Sequence, residues 1–305
     1  MKTRFFLHAS TILILLGTMI VLMNIETHAQ DVRKPTKIAT EETGNFQLKY
    51  GMGMSTRYLW RGLDLAQSPA LEPYGRALIY GLELSIYGVY GIYENAAKHP
   101  DFEIPENPEN FSAVFLDRIA FTEVISNIFY HINTNLGTFR LGVTEYYFPD
   151  RLVKEIEVDS FGIEHISYPK STWLNWKDNG EGAHVIEASI KFIGKKGFPF
   201  WGIAALNVYN DPDNSLYLEA GYNFNVLSNN LGIVAGGAVG GSKWYQFTVK
   251  NGKVRDGSGL TNFGITFSRE IYLESWLILD FGLSDIINFY QERNTILFKA
   301  TLKIE

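Results

Sequence analysis

Apolar and polar residues alternate with a period of two from Phe46 almost to the C-terminus. In the first such stretch Phe46, Leu48, Tyr50, Met52, Met54, Tyr58 and Trp60 fall on one side. Gln47, Lys49, Gly51, Gly53, Ser55, Arg57 and Arg61 fall on the other. Successive side chains of a strand point to opposite faces, so this rhythm predicts a strand with one apolar and one polar face. The rhythm returns over 71–80, 82–93, 121–134, 139–143, 183–192, 198–209, 215–224, 231–240, 262–268, 277–282 and 295–304. Each stretch is about ten residues, the length a tilted strand needs to cross a bilayer. Hydrocarbon offers no partner to an open sheet edge, so such strands must close on themselves. The pattern therefore predicts an all-β chain: a transmembrane, antiparallel, up-and-down β-barrel of about 12 strands, occupying residues 46–305.

The connections support this. Those near Gly81, Asn135, Lys195, Asn229 and Glu270 are short, and they alternate with mostly longer ones near Gly62, His99, Lys170, Val254 and Ile287. Membrane barrels carry short periplasmic turns and longer outer loops, whereas a soluble sandwich has no reason to sort its loops. Proline falls mainly in the connections, as at Pro100, Pro105, Pro108 and Pro149, where no ladder donor is lost. Both termini are expected on the short-turn, periplasmic side. Val124, Ile128, Leu218, Phe224, Phe267, Leu279 and Phe298 are expected to face lipid, because their strand neighbours are polar.

Ahead of the alternating region, Lys2 and Arg4 precede an apolar run from Ile12 to Met23, and Thr27-His28-Ala29 follows as a small-x-Ala site. Residues 1–29 thus read as a secretory signal peptide. Residues 30–45 are polar and read as a periplasmic lead-in. The chain has no Cys, which excludes thiolate metal sites, disulfide frameworks and Cys nucleophiles. Its formal charge of −6 offers no basic field for nucleic acid. The expected setting is the cell outer membrane. The expected partners are outer-membrane lipid, small solutes and the outer-membrane assembly machinery.

Three segments resemble a known family: Thr56-Arg57-Tyr58-Leu59-Trp60-Arg61-Gly62, Ser68-Pro69-Ala70-Leu71-Glu72-Pro73 and Tyr146-Tyr147-Phe148-Pro149. They are similar to the end of the first strand, the loop element after it, and a mid-chain strand end in the TorF-type porin family. The resemblance runs from Phe46 to the C-terminus. It implies an outer-membrane barrel with a porin-like role, and supplies neither catalytic residues nor a substrate. The chain departs from the family in having Thr56 in place of Ser. It also has long connections at 94–120 and 150–182, and ends in Leu302-Lys303-Ile304-Glu305 without a terminal aromatic residue.

The polar faces supply the candidate functional residues. Lys49, Arg57 and Arg61 share one face and would line about 40 Å of a regular strand, a cationic ladder that attracts anions. Glu123, Glu187, Glu219 and Asp280 stand on the polar faces of other strands and could pair with it. His131, Arg140, Lys191 and Lys299 complete the predicted lumen lining. Charges facing one another across the lumen would leave weak selectivity; charges side by side would leave it nearly neutral. A lipid-modifying enzyme would need His, Ser and an orienting group together on the outer wall. His184 and Ser189 share a strand but are too far apart to bond. Asp211-Pro212-Asp213-Asn214 could hold Ca²⁺ but reads as a turn. No cofactor or metal is expected. The sequence points first to passive or selective passage of small solutes through a narrow lumen, partly plugged by side chains or a loop. A non-conducting structural or interaction barrel is the alternative.

Overall fold

The computed structural model describes residues 46–66, 68–92, 121–149, 155–158, 160, 163–167, 171–195, 197–226, 229–240, 242, 244–245, 249–250, 253–254 and 258–305. The signal segment 1–29, the lead-in 30–45 and the connection around His99 lie outside these residues. In chain order the strands are β1 (Phe46–Ser55), β2 (Tyr58–Trp60), β3 (Leu63–Ala66), β4 (Ala70–Ile79), β5 (Leu82–Gly91) and β6 (Thr122–Asn133). Then come β7 (Gly137–Tyr147), β8 (Glu155–Val158), β9 (Glu164–Ser167), β10 (His184–Gly194), β11 (Phe200–Tyr209) and β12 (Leu216–Val226). The last six are β13 (Asn229–Val239), β14 (Val249–Lys250), β15 (Lys253–Val254), β16 (Gly259–Tyr272), β17 (Leu277–Asn288) and β18 (Arg293–Ile304).

Twelve of these strands close a barrel in the order β1-β18-β17-β16-β13-β12-β11-β10-β7-β6-β5-β4, each antiparallel to its neighbours. Closure comes from β1 pairing with β18, for example Met52 opposite Leu302 and Gly53 opposite Thr301. The pairs β2-β3, β8-β9 and β14-β15 are separate two-stranded hairpins in the connections. The described residues contain no helix. The fold is the predicted one: an all-β transmembrane barrel of twelve strands.

Alternation places the faces as expected. Phe46, Leu48, Tyr50, Met52 and Met54 are exposed on the outside of β1, while Gly53 and Ser55 are buried within. Ile128, Leu218, Phe224 and Phe298 are likewise exposed on the outer wall. Phe267 differs. It is only 5% exposed, set between its register partners Leu231 and Leu283. An apolar belt this continuous is stable only against hydrocarbon.

Two connections depart from the sequence reading. The last short turn spans Leu273–Trp276, not Glu270, because β16 carries Ser268, Arg269 and Glu270 on as ladder residues paired with β17. The connection after Ile287 is not long. It holds only residues 289–292, with Glu292 at φ 53. The short-turn end therefore carries both barrel termini, and the 171–183 segment lies at the opposite end. Protease added to intact cells is expected to cut within 171–182 and to spare Lys195. Cutting at Lys195 instead would reverse the orientation.

Candidate functional site

Strand one does not continue to Arg61. β1 ends at Ser55, and the chain then turns into the lumen as the hairpin β2-β3. The two residues of its turn, Arg61 and Gly62, both have positive φ, at 51 and 80°. That is the backbone of a type I′ hairpin turn, which matches the twist of the flanking strands. Gly62 is required for a second reason: a Cβ there would lie 1.8 Å from the carbonyl oxygen of Thr261. Gly62→Ala should thus unseat the hairpin. The left-handed backbone alone costs roughly 1–2 kcal/mol, and a lowered unfolding midpoint in urea is the expected readout. A midpoint equal to wild type would mean that the tip is not seated against β16.

The hairpin spans the lumen. At one side, the Thr261 hydroxyl of β16 donates to the Arg61 carbonyl at 2.9 Å, and the Asn288 amide of β17 donates to the Gly62 carbonyl at 3.0 Å. At the other side, the Arg61 guanidinium forks onto Glu187 of β10, with Nη1 to Oε2 at 2.7 Å and Nη2 to Oε1 at 2.9 Å. Nη1 also donates to the Tyr245 hydroxyl at 2.5 Å. The guanidinium lies 4.6 Å from the Trp60 ring and 4.5 Å from the Tyr217 ring, which adds cation–π attraction. Burial by itself would lower the affinity of Arg61 for its proton. The Glu187 carboxylate beside it opposes this, and Arg61 is held above its ordinary value. Burial pushes the Tyr245 phenol up, so it stays protonated.

Around this pair sits an aromatic core. Trp60 stacks on Tyr245 at 5.5 Å and meets Tyr146 edge-on at 5.6 Å, and Tyr217 stacks on Tyr245 at 5.3 Å. Leu63, from the hairpin, is buried among the same residues. A side chain of that size contributes roughly 1.5–3 kcal/mol on full burial. Tyr58 stacks on Phe121 and hydrogen-bonds Glu123. The outer part of the lumen is thus filled by a packed plug.

The predicted ladder of Lys49, Arg57 and Arg61 on one strand is overturned. Only Lys49 is on β1, where it pairs with the Glu305 side chain at 3.2 Å. Arg57 is in the turn before the hairpin and bonds Asp64 within it at 2.5 Å. The alternation of Tyr58 and Trp60 belongs to β2, a separate strand with its own two faces. The remaining candidates do face the lumen. His131 pairs with Glu83 at 2.7 Å, and Arg140 donates to the same carboxylate. Lys299 donates to Glu72, and Asp280 accepts from Lys303 at 2.6 Å. Glu219 accepts from the Tyr217 phenol and from the Asn262 amide at 2.5 Å. Glu123 and Glu187 meet the plug, and Lys191 lies 4.3 Å from the Phe129 ring. Most pairs therefore join strands at or near neighbouring positions; among the described residues Arg61–Glu187, and Arg293–Asp64 at 3.7 Å, tie the hairpin to the barrel wall.

Below the plug lies a chamber of about 620 Å³, bordered by Trp60, Arg61, Tyr87, Tyr146, Lys191 and Lys299 among others. On the outer wall, His184 is fully buried in a different cluster. Its Nδ1 pairs with Glu145 at 2.7 Å, its Nε2 with the Trp173 carbonyl at 2.8 Å, and its ring stacks on Trp176 at 3.8 Å. Ser189 points into the lumen, on the opposite face of β10. The Asp211 side chain is used up by its own turn, accepting from Asn207, Asp213 N and Ser215 N. Among the described residues no cluster of metal-ligating side chains forms.

No family model matches the chain, and no curated protein does. Several solved structures are similar in outline. An outer-membrane channel from Pseudomonas putida F1 is 12% identical, with a TM-score of 0.39 over 85% of this chain and 93% of that one. The Salmonella typhi outer-membrane phospholipase, a dimer with bound calcium, is 7% identical, with a TM-score of 0.38 over 84% of this chain and 90% of that one. A loop L8 deletion mutant of Vibrio cholerae OmpT, an outer-membrane protein, is 7% identical, with a TM-score of 0.35 over 86% of this chain and 99% of that one. Scores at this level transfer nothing to this chain, whose fold rests on its own strand register.

Sequence reasoning missed the residues that complete the site. Glu72 and Glu83 follow the inward parity of β4 and β5, so alternation could have found them. Tyr245 lies in a long connection with no period, and nothing in the sequence marked it.

Proposed function

We propose that this chain is an exported outer-membrane channel of porin type, closed at rest by its own first loop. One observation carries the reading: the β2-β3 hairpin is held across the lumen by Arg61 on Glu187, above a lumenal chamber. A loop pinned over a cavity by a charge fork, by the hydrogen bonds from Thr261 and Asn288 and by an Arg293–Asp64 pair has a seated state and a released one. Residues 1–29 are proposed as the signal peptide and 30–45 as a periplasmic lead-in. Kinship with the TorF-type porins is part of the same proposal, as are a lipid surround and insertion by the outer-membrane assembly machinery.

The aromatic packing of the plug favours one other reading, a non-conducting barrel with a structural or interaction role. Conductance in planar bilayers separates the two. Wild type should show small or rare openings, and a variant lacking Tyr58–Ala66 should show large, steady ones. If that variant inserts and stays silent, the channel reading fails and the structural one stands.

A further inference from the structure

The chamber beneath the plug has a charge defect. Most cations on the lumen face of the wall have a carboxylate within ion-pair distance: Lys49 has Glu305, Arg76 and Arg140 share Glu83, Lys299 has Glu72 and Lys303 has Asp280. Lys191 has none among the described residues. Its ammonium sits over the Phe129 ring at 4.3 Å. A ring face attracts the charge but accepts no full set of the three N–H donors.

The register sharpens this. Lys191 stands directly opposite Arg140 on the neighbouring strand, and Arg140 also lies 5.1 Å from the Phe129 ring. Like charges directly opposed across a ladder repel. The two carboxylates whose fields reach it are both engaged elsewhere: Glu187 holds Arg61, and Glu83 serves Arg76, Arg140 and His131. This corner of the lumen therefore carries uncompensated positive charge, in a partly buried place where an unpaired charge is costly.

The other charged residues on the chamber's border are already paired: Arg61 with Glu187, Arg76 with Glu83, Lys299 with Glu72 and Lys303 with Asp280. The chamber is also bordered by Trp60, Tyr87, Ile125, Tyr146 and Ile203, with the plug as its roof. Its volume of about 620 Å³ falls within the ordinary range of small-molecule sites, roughly 300–1,000 Å³, in which apolar walls hold the body and a few polar groups fix orientation. A hydrophilic anion would answer the charge and leave the walls bare. A neutral aromatic would fill the walls and leave Lys191 unpaired.

We propose that the chamber binds a monocarboxylate with an apolar body, its carboxylate on Lys191 and its body against Trp60, Tyr87, Tyr146 and Ile203. The proposal rests on the channel reading only for how such a ligand arrives. Binding itself is measured without transport, so the two can fail separately.

The probe is radiolabelled benzoate, in equilibrium dialysis against the refolded barrel in a non-ionic polyoxyethylene detergent. Benzamide and inorganic phosphate serve as competitors. Saturable binding of one benzoate per barrel is expected, displaced at least tenfold more weakly by benzamide or phosphate than by unlabelled benzoate. Lys191→Gln and Lys191→Met should each weaken binding at least tenfold, while Lys177→Gln, in an exposed connection, should not. The gel-mobility shift of the folded barrel reports that each variant is folded. Absence of saturable binding, equal displacement by benzamide, or full binding in folded Lys191 variants would each overturn the site. The conductance of the hairpin-deleted barrel would be untouched by any of these results.

Discussion

Arg61→Ala should destabilise the folded barrel by roughly 3–5 kcal/mol, because it leaves the Glu187 carboxylate buried without its counter-charge. The Glu187 side chain is 1% exposed and that of Arg61 10%, so solvent gives little relief. Adding Glu187→Gln removes the stranded charge, and the double variant should recover a large part of the loss. Urea unfolding from lipid vesicles, run on both singles and the double, measures the coupling. In bilayers the double variant should open more often than wild type, since the hairpin keeps its packing but loses its fork. A loss in the double variant equal to the sum of the two single losses would show that the pair contributes no coupling and that packing alone seats the plug.

An Arg introduced at Ile265 should cost roughly 2–4 kcal/mol, the cost of a cation on the lipid face near mid-membrane. Ile265 is 47% exposed on the outer wall, in the middle of β16. Its neighbour Thr266 points inward and borders a lumenal cavity of about 310 Å³, shared with Asn223, Asn225 and Ser268. Thr266→Arg should therefore cost little. Phe267 is the poorer probe. Near-complete burial between Leu231 and Leu283 would add lost packing to the cost of the charge. Folding yield into vesicles of two thicknesses reports the comparison. Similar damage at 265 and 266 would refute the assignment of faces.

Strand number, facing and the sorting of turns were legible because alternation is a backbone property, repeated at every residue of every stave. The plug was harder to read. Tyr58 and Trp60 keep the parity of Met52 and Met54, so nothing in the period marks the bend at Thr56-Arg57. A clue was present: Arg61-Gly62 lies between Tyr58-Leu59-Trp60 and Leu63-Asp64-Leu65, as Tyr80-Gly81 lies between β4 and β5. All four turn residues have positive φ. Arg is an uncommon first partner for such a turn, and the Asn-Gly signal that would have marked it was missing. Pairings between charges were less legible still. Glu187 meets Arg61 only because the hairpin enters the lumen, and parity cannot say which loop does so. Lys191 was placed on the correct face, but its lack of a partner is a property of three strands at once.

The contacts that seat the hairpin are far from it along the chain: Glu187 is 126 residues away, Thr261 is 200 and Asn288 is 226. The hairpin can form its own turn at once, but β10, β16 and β17 must all be in place before it has anything to grip. Distant contacts form late, after the loop-closure entropy has been met. Closure of the wall is as distant a contact, since β1 must find β18 at the other end of the barrel sequence, so sealing the wall and seating the stopper both belong to the last stage of assembly.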